Sequence, residues 1–164
     1  MTSNNEQKDN KLPNAVYYLR VSSKPQEEDG MSLDVQEKVC EEYALNNGLF
    51  YDIKYSFKAT ESAWKPDRKH FHKMVEYAKY NKNIKCIVFY CEDRISRNWR
   101  DLIHIEDLIK KYDKKIIIAQ SRKILTNDNY YTEGRFLAFT ILMAKEWSEA
   151  ISHKVKDDRQ EKFK

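Results

Sequence analysis

Hydrophobic and polar residues follow two different patterns along the chain. Four short blocks, rich in β-branched and aromatic residues, predict strands at residues 15–20, 49–57, 84–91 and 115–119. Between them, apolar residues three or four positions apart predict helices over 66–81 and 99–112, and a further helix capped by Ser32 and ended by Gly48. Strands that alternate with helices predict an α/β domain, with a mostly parallel four- or five-stranded sheet flanked by helices.

The C-terminal part of the sequence carries the longest helical pattern. From about residue 131 to 163, apolar residues recur at steps of three and four: Phe136, Phe139, Met143, Trp147, Ile151 and Val155. A helix of ~30 residues spans ~45 Å, which is longer than a domain of this size is wide. Its far end therefore either protrudes or packs on a partner. We expect a loose tail over 1–13, an α/β domain over 14–128 and a helical arm over 129–164.

The composition is that of a folded, soluble chain. Hydrophobic residues make up 41% and charged residues 34% of the 164 positions, and the mean hydropathy is −0.85. No apolar run approaches the ~18–20 residues that a membrane span needs, and residues 1–13 lack the apolar core of a signal peptide. We therefore expect a cytoplasmic protein with no membrane partner. A net charge of +4 and a pI near 8.8 weakly favour a polyanionic partner.

Several kinds of site are disfavoured because their residues are scarce. The three cysteines, Cys40, Cys86 and Cys91, have no Cys-x-x-Cys spacing, so we expect buried free thiols. The four histidines form no His-Glu-x-x-His pattern, and the three glycines cannot supply a glycine-rich phosphate loop. The sequence therefore predicts no metal ion and no cofactor.

Two loops that follow predicted strands concentrate hydroxyl and guanidinium groups. The first, Tyr-Leu-Arg-Val-Ser-Ser at 18–23, leaves the first strand, and the second, Glu-Asp-Arg-Ile-Ser-Arg at 92–97, leaves the third. In a parallel sheet such loops meet at one edge, where arginine forks bind phosphate and a serine can attack phosphorus. Because Arg94 and Arg97 are three residues apart, a helical turn after Asp93 would place both on one face.

Four motifs occur in order from about residue 15 to 164, which is nearly the whole chain: Tyr18-x-Arg20-Val-Ser22-Ser23, Ser32-Leu-Asp-Val-Gln36, Asp67-Arg68 and Asp93-Arg94-x-x-Arg97-Asn98. In these motifs the chain resembles the catalytic domain of the serine site-specific recombinases, which include resolvases, invertases and serine integrases. Ile95-Ser96 and the predicted long helix are similar to those of the large serine recombinases.

The resemblance assigns a role to each residue of the motifs. It implies that Ser22 is the nucleophile that attacks the DNA phosphodiester and becomes linked to its 5′-phosphate, and that Ser23 shapes the loop. Four arginines are implied to belong to the active site, the first three of them holding the scissile phosphate: Arg20, Arg94, Arg97 and Arg68. Asp93 is implied to orient an arginine or to help protonate the leaving 3′-oxygen, and Gln36 to organise the nucleophile loop.

The resemblance also implies the partners of the chain. They are double-stranded DNA and further copies of the chain, as a homodimer that assembles to a tetramer in the nucleoid and exchanges strands by rotation of subunit pairs. The long helix is implied to form the interface through Phe136, Phe139, Met143, Trp147 and Ile151. It is implied to contact DNA through Lys154, Lys156 and Arg159. We expect either an excised catalytic domain or a short relative, because little sequence follows this helix.

Two other functions fit parts of the pattern. A catalytically silent, DNA-associated dimerisation or regulatory module could keep the same fold, but it would have little reason to keep the mutually repelling set Arg20, Arg68, Arg94 and Arg97 around Ser22. A phosphohydrolase or nucleotide-binding protein is disfavoured by the missing glycine-rich loop and by the missing cluster of metal-binding carboxylates. Recombination of DNA through a phosphoserine intermediate is the function that the sequence favours.

Overall fold

The computed structural model describes residues 14–21, 32–60, 68–96, 98–135, 138, 139 and 143, with the backbone alone at 51–55. The elements, in chain order, are β1 (Ala15–Val21), α1 (Leu33–Asn46), β2 (Tyr51–Thr60), α2 (Lys69–Tyr80), β3 (Cys86–Phe89), α3 (Glu92–Ile95), α4 (Trp99–Lys110), β4 (Lys115–Ile118), β5 (Lys123–Leu125) and a π-helical turn (Tyr130–Gly134). None of the helices formed by these residues is long and apolar enough to cross a bilayer.

The five strands form one sheet in the order β2-β1-β3-β4-β5. The first four strands are parallel to their neighbours, and β5 runs antiparallel to β4 at one edge. The predicted α/β class, with a mostly parallel sheet flanked by helices, is confirmed. The predicted tail over 1–13 and most of the predicted helix over 131–163 lie outside the described residues.

The two faces of the sheet are covered by different helices. Within β1, Val16 and Tyr18 pack with residues of α2 and α4 on one face, whereas Tyr17 and Leu19 pack with α1 on the other. Successive side chains of a strand point to opposite faces, so a strand that is apolar on both sides is covered on both sides. All five of its residues from Ala15 to Leu19 are fully buried.

The centre of the sheet creates a crevice at its carboxyl edge. The chain leaves β1 for α1 on one face, but it leaves β3 for α3 and α4, whose apolar residues join the core of the opposite face. Adjacent strands whose connections diverge in this way leave a gap beyond their carboxyl ends, where ligands of open α/β sheets bind. The two loops singled out in the sequence follow these two strands.

The ends of α1 follow the sequence prediction. The Ser32 hydroxyl accepts a hydrogen bond from the Val35 N–H at 3.3 Å, which satisfies one of the unpaired amides at the helix start. Gly48, two residues after the last helical residue, has a φ of 64°, a left-handed conformation that glycine adopts without strain.

Other predicted boundaries were wrong by a few residues. Strand β2 continues to Thr60, and α2 begins at Lys69 rather than at residue 66, with Arg68 as its N-cap. Strand β3 is shorter than predicted, because its pairing with both neighbours ends at Phe89. The segment after Ala119, predicted as a polar loop, contains β5, which a turn with a left-handed Arg122 folds back onto β4.

The three cysteines are free thiols, as predicted. Cys40 and Cys86 are buried and Cys91 is half-buried. Burial raises the pKa of Cys40 to about 12, with smaller contributions from Cys91, Glu37 and Glu41. These thiols are therefore protonated at neutral pH and act as small apolar groups of the core.

Candidate active site

Arg20 lies at the carboxyl end of β1, and its backbone is fixed by Gln36 of α1. The Arg20 N–H donates to Gln36 Oε1 at 3.2 Å, and Gln36 Nε2 donates to the Arg20 carbonyl oxygen at 3.0 Å. Strand β1 is still paired with β2 at Arg20, but its pairing with β3 ends at Tyr18, so the Gln36 amide takes the place of β3 as a partner of this backbone. The fully buried Gln36 thus fixes the position from which the Arg20 side chain leaves the sheet.

The Arg20 side chain joins the two loops that the sequence singled out. Its Nη2 donates to the carbonyl oxygen of Asp93 at 2.9 Å, across 73 residues of sequence. Arg20 is only 4% exposed, although it carries a charge. The Asp93 side chain is exposed. The meeting of these loops at one sheet edge, predicted from the sequence, is therefore present in the structure.

Arg94 lies on α3, a single helical turn that begins after Cys91. The Arg94 N–H donates to the Cys91 carbonyl oxygen at 3.0 Å, and the residue is 7% exposed. Burial raises the pKa of the Cys91 thiol, while the neighbouring positive charge of Arg94 opposes that rise. Arg94 thus brings a second buried guanidinium group to the same edge of the sheet as Arg20.

The helical turn predicted after Asp93 is shorter than the shared face of Arg94 and Arg97 requires. The helix ends at Ile95, and Ser96 is extended, with φ −170° and ψ 160°. The i, i+3 relation needs helical backbone throughout, and the described helix stops before Ser96. Arg97 itself lies outside the described residues.

Glu92 ties α3 to the turn between β4 and β5. Its Oε1 accepts hydrogen bonds from Ser121 Oγ at 3.0 Å and from Lys123 Nζ at 3.2 Å. Burial alone would raise the pKa of Glu92, but hydrogen bonds from its own N–H, Ser121 and Lys123 outweigh it and hold the pKa below 4.5. This carboxylate therefore anchors the outer end of α3 and stays ionised at neutral pH.

Arg68 is a fully buried cation with protein partners around its guanidinium group. Nη1 donates to Asp101 Oδ2 at 2.6 Å and to the Ile95 carbonyl oxygen at 2.8 Å, and Nη2 donates to the Tyr18 hydroxyl at 2.9 Å. The guanidinium carbon also lies 4.3 Å from the centre of the Phe71 ring, a cation–π distance. Arg68 is thus close to the predicted site, and it bridges α4, the end of α3 and β1.

Asp101 is a site residue that the sequence did not reveal, and Tyr18 and Ser96 were recognised in the sequence but were given no role. Ser96 Oγ donates to Asp101 Oδ2 at 2.9 Å and accepts from the Asn98 N–H at 2.9 Å. One signal could have revealed Asp101. It occupies the apolar stripe of α4 with Ile105 and Leu108, and a carboxylate there is buried and needs a cation.

The structure brings together part of the predicted set of site residues. Arg20, Gln36, Arg68, Asp93 and Arg94 converge at the carboxyl ends of β1 and β3 through the contacts given above. Nine other predicted residues of the site and the arm lie outside the described residues: Ser22, Ser23, Arg97, Phe136, Trp147, Ile151, Lys154, Lys156 and Arg159. Two predicted residues of the arm are described, Phe139 and Met143, and their side chains are 61% and 44% exposed.

This arrangement is suited to binding an anion that carries more than one charge. The charge of Arg68 is paired with Asp101, whereas two further buried guanidinium groups, those of Arg20 and Arg94, lie at the carboxyl edge of the sheet. In a low-dielectric setting their field on a phosphate is much stronger than it is in water. Within the part of the chain that the structure describes, no three His, Cys, Asp or Glu residues are placed to hold a metal ion.

Comparison with known families identifies the chain. The model of the family described as "Resolvase, N terminal domain" matches residues 15–164. The chain belongs to the resolvase family. Resolvase-type domains are the catalytic domains of serine recombinases, so the chain is a recombinase-type protein of site-specific DNA recombination. Among curated proteins, none matches it closely enough to count as a relative.

Solved structures share this resolvase-type fold. The N-terminal catalytic domain of TP901-1 integrase has a TM-score of 0.59 and 21% identity, over 84% of this chain and 98% of that one. A resolvase family site-specific recombinase from Streptococcus pneumoniae has a TM-score of 0.56 and 20% identity, over 90% and 96%. The C-terminal catalytic domain of ISC1926 TnpA, an IS607-like serine recombinase, has a TM-score of 0.51 and 27% identity, over 64% and 69%.

Proposed function

We propose that this chain cleaves and rejoins double-stranded DNA in site-specific recombination, with Ser22 as the nucleophile of a covalent 5′-phosphoserine intermediate. The observation that carries the proposal is the 2.9 Å hydrogen bond from Arg20 Nη2 to the Asp93 carbonyl oxygen. It brings the loop that begins with Arg20 and the turn that carries Arg94 to one crevice. Membership of the resolvase family connects that crevice with DNA recombination.

The proposed reaction is two successive transesterifications. The Ser22 oxygen attacks the phosphorus, the bond from phosphorus to the 3′-oxygen breaks, and the proton of the serine hydroxyl is balanced by protonation of the leaving 3′-oxygen. In the second step a 3′-hydroxyl attacks the phosphoserine and restores Ser22. Each step exchanges one phosphodiester for another, so the energy of the bond is conserved and no cofactor is consumed.

The arginines supply the positive charge that this reaction requires. We assign contact with the scissile phosphate to Arg20, Arg94 and Arg97, since preorganised donors aimed at developing charge stabilise a transition state. Arg68 belongs to the same centre, within its buried network. Asp93 is assigned the orientation of an arginine or the protonation of the leaving oxygen.

Two residues support the nucleophile loop in this proposal. Gln36 holds the backbone of Arg20 through two hydrogen bonds, and Arg20 precedes Ser22 by two residues in the sequence. Ser23 is assigned the shaping of the loop. The two serines are neighbours with the same functional group, so they provide a matched pair for testing which hydroxyl reacts.

The proposed assembly is a homodimer that forms a tetramer on DNA in the nucleoid. Two duplexes cut on both strands need four nucleophiles, hence four copies of Ser22. Phe139 and Met143 support an interface on the C-terminal arm, because they lie four residues apart and expose large apolar side chains. The arm is assigned the remaining interface residues Phe136, Trp147 and Ile151, and DNA contact through Lys154, Lys156 and Arg159.

A trapping experiment tests the proposal. The protein is incubated with a nicked duplex whose cleavage releases a short strand, so that the second step cannot occur and the adduct accumulates. We expect a covalent protein–DNA adduct with the unmodified protein and with Ser23→Ala, and none with Ser22→Ala. An adduct that forms equally in both variants contradicts Ser22 as the nucleophile. Retained DNA binding with no adduct in any form indicates the silent regulatory module instead.

A further inference from the structure

The Arg68–Asp101 ion pair is fully buried beside the proposed active site. The two side chains are 0% and 1% exposed, and Arg68 Nη1 lies 2.6 Å from Asp101 Oδ2. Removing two charges from water costs several kcal/mol per ion, and packed apolar residues often stabilise such a position as well or better. A reason for keeping this pair is therefore sought in the other groups to which Arg68 and Asp101 are hydrogen-bonded.

Asp101 and its partner Arg68 hold the short segment between α3 and α4 through several hydrogen bonds. Asp101 Oδ2 accepts from Ser96 Oγ at 2.9 Å as well as from Arg68, and Arg68 Nη1 also donates to the Ile95 carbonyl oxygen at 2.8 Å. Ser96 Oγ in turn accepts from the Asn98 N–H. One carboxylate oxygen thus restrains the residues that follow Arg94 and the two sequence neighbours of Arg97.

The same network reaches the other catalytic loop. Arg68 Nη2 donates to the hydroxyl of Tyr18 at 2.9 Å, and Tyr18 precedes Arg20 by two residues on β1. The guanidinium group of Arg68 is therefore bonded to both sides of the crevice. It thus links the strand that carries Arg20 to the helical turn that carries Arg94.

The segment needs such support because it cannot hold its own shape. Helix α3 contains four residues, and a helix that short does not recover the cost of its nucleation. It is followed by the extended Ser96 and then by Asn98, the N-cap of α4. Hydrogen bonds from outside the segment must fix its geometry, and Asp101 is where several of them meet.

We propose that Asp101 is a positioning residue which, through Arg68 and Ser96, holds the segment that carries Arg94 and flanks Arg97 in reactive geometry. The proposal rests on the proposed function, in which these arginines hold the scissile phosphate. It gives Arg68 a supporting role in place of direct contact with the phosphate.

Ser96→Ala is the mildest test, because it removes one tether and leaves the ion pair in place. Ser56→Ala is the matched control, since the Ser56 hydroxyl has no hydrogen-bond partner among the described residues. We expect Ser96→Ala to slow adduct formation on saturating DNA by about tenfold or more, because a displacement of ~1 Å in a site costs up to about 100-fold. The amide of Asn98 should exchange its hydrogen faster than in the unmodified protein.

Asp101→Asn removes the charge while keeping an oxygen acceptor. Asp107→Asn is its control, because Asp107 is on the same helix and bonds the exposed Lys111. A purely structural role would lower the fraction of protein that reacts, whereas a positioning role lowers the rate constant of the fraction that does react. We expect the rate constant to fall in Asp101→Asn, with the dissociation constant for DNA unchanged, and neither quantity to change in Asp107→Asn.

The outcomes separate this proposal from the proposed function. Rate constants equal to those of the unmodified protein in folded Ser96→Ala and Asp101→Asn, or unchanged hydrogen exchange at Asn98 in Asp101→Asn, overturn the positioning role. If the unmodified protein forms no adduct, the proposed function is contradicted. The exchange of the Asn98 amide in Asp101→Asn, which leaves the Ser96 hydroxyl in place, then decides by itself whether Asp101 holds the segment.

Discussion

Two buried cations at opposite ends of the sheet have different surroundings. At the carboxyl end, Arg68 bonds a carboxylate, a carbonyl and a hydroxyl that belong to three separate elements. At the amino end, Lys114 is 5% exposed, and its Nζ donates to the carbonyl oxygens of Asn81 at 3.1 Å and Ile84 at 2.6 Å. Both residues are buried, yet only the partners of Arg68 include groups next to the proposed catalytic residues.

The difference shows what distinguishes a structural cation from one that serves a site. The side chain of Lys114 donates to backbone carbonyl oxygens in the connection between α2 and β3, so these hydrogen bonds hold a turn in place. Burial lowers the pKa of Lys114, and the positive charge of Lys85 lowers it further. The surroundings of Lys114 therefore disfavour its charged form. Arg68, in contrast, bonds groups on both sides of the crevice at once. Burial alone does not separate these roles, whereas the identity of the partners does.

The largest expected effect is on stability at the carboxyl end. Arg68→Ala should lower the free energy of unfolding by about 3–5 kcal/mol, because it leaves the Asp101 carboxylate buried without its cation. Denaturant unfolding measures this. Lys79→Ala is the control, since it breaks a partly exposed pair with Glu76 that is worth less than about 1 kcal/mol. An equal loss in both variants would show that the buried pair has no special weight.

The next effect separates catalysis from stability within the same edge. Arg94→Ala should slow adduct formation by about 10²–10³-fold, the usual cost of removing one transition-state donor. Its unfolding free energy should change by less than about 1 kcal/mol, because the change also relieves repulsion between neighbouring arginines. Parallel cleavage and unfolding measurements check this. A large loss of stability in Arg94→Ala would mark this arginine as structural.

The amino end should respond more weakly and with a defined pH dependence. Lys114→Met should cost about 1 kcal/mol at neutral pH, through the two carbonyl oxygens left without their donor, and should not change adduct formation. Because the folded pKa of Lys114 lies below 10.5, the unfolded chain binds more protons between the two values. The unmodified protein should therefore gain stability relative to Lys114→Met as the pH rises towards 10.5, which unfolding at several pH values measures. A difference that shrinks over this range contradicts the lowered pKa.

The smallest expected effect concerns the outer anchor of α3. Glu92→Gln should destabilise the protein by less than about 1 kcal/mol at neutral pH, since the pair with Lys123 is partly exposed. The folded pKa of Glu92 lies below 4.5, so its contribution is complete above that pH and is lost as the pH falls through the folded value. The two proteins should thus become equally stable in acid. A difference that persists there would indicate a loss of packing rather than of charge.

The sequence predicted those parts of the fold that depend on local periodicity. Strand β1, helix α1 with its Ser32 cap, and helix α4 follow from apolar spacing and capping residues, which act within a few positions. The placement of Arg20 beside the turn after β3 also followed, because loops at the carboxyl ends of adjacent parallel strands meet.

Features that depend on distant contacts could not be predicted in this way. Strand β5 has three residues, too few to show a period, and it forms because a turn returns it to β4. The pair of Arg68 with Asp101 spans 33 residues, and nothing local to Arg68 indicates a buried partner. The extended Ser96 interrupts a pattern that would otherwise read as helix, since its hydroxyl bonds Asp101 and Asn98.

The most direct test of the account is to identify the residue that becomes linked to DNA. Trypsin cleavage after Arg20 and Lys38 releases residues 21–38 from the trapped adduct, and this peptide contains Ser22, Ser23 and Ser32. Fragmentation by mass spectrometry then locates the phosphate after nuclease digestion. We predict a phosphate ester on Ser22 that carries the 5′ end of the cleaved strand. A link to any other residue, or to the 3′ end, contradicts it.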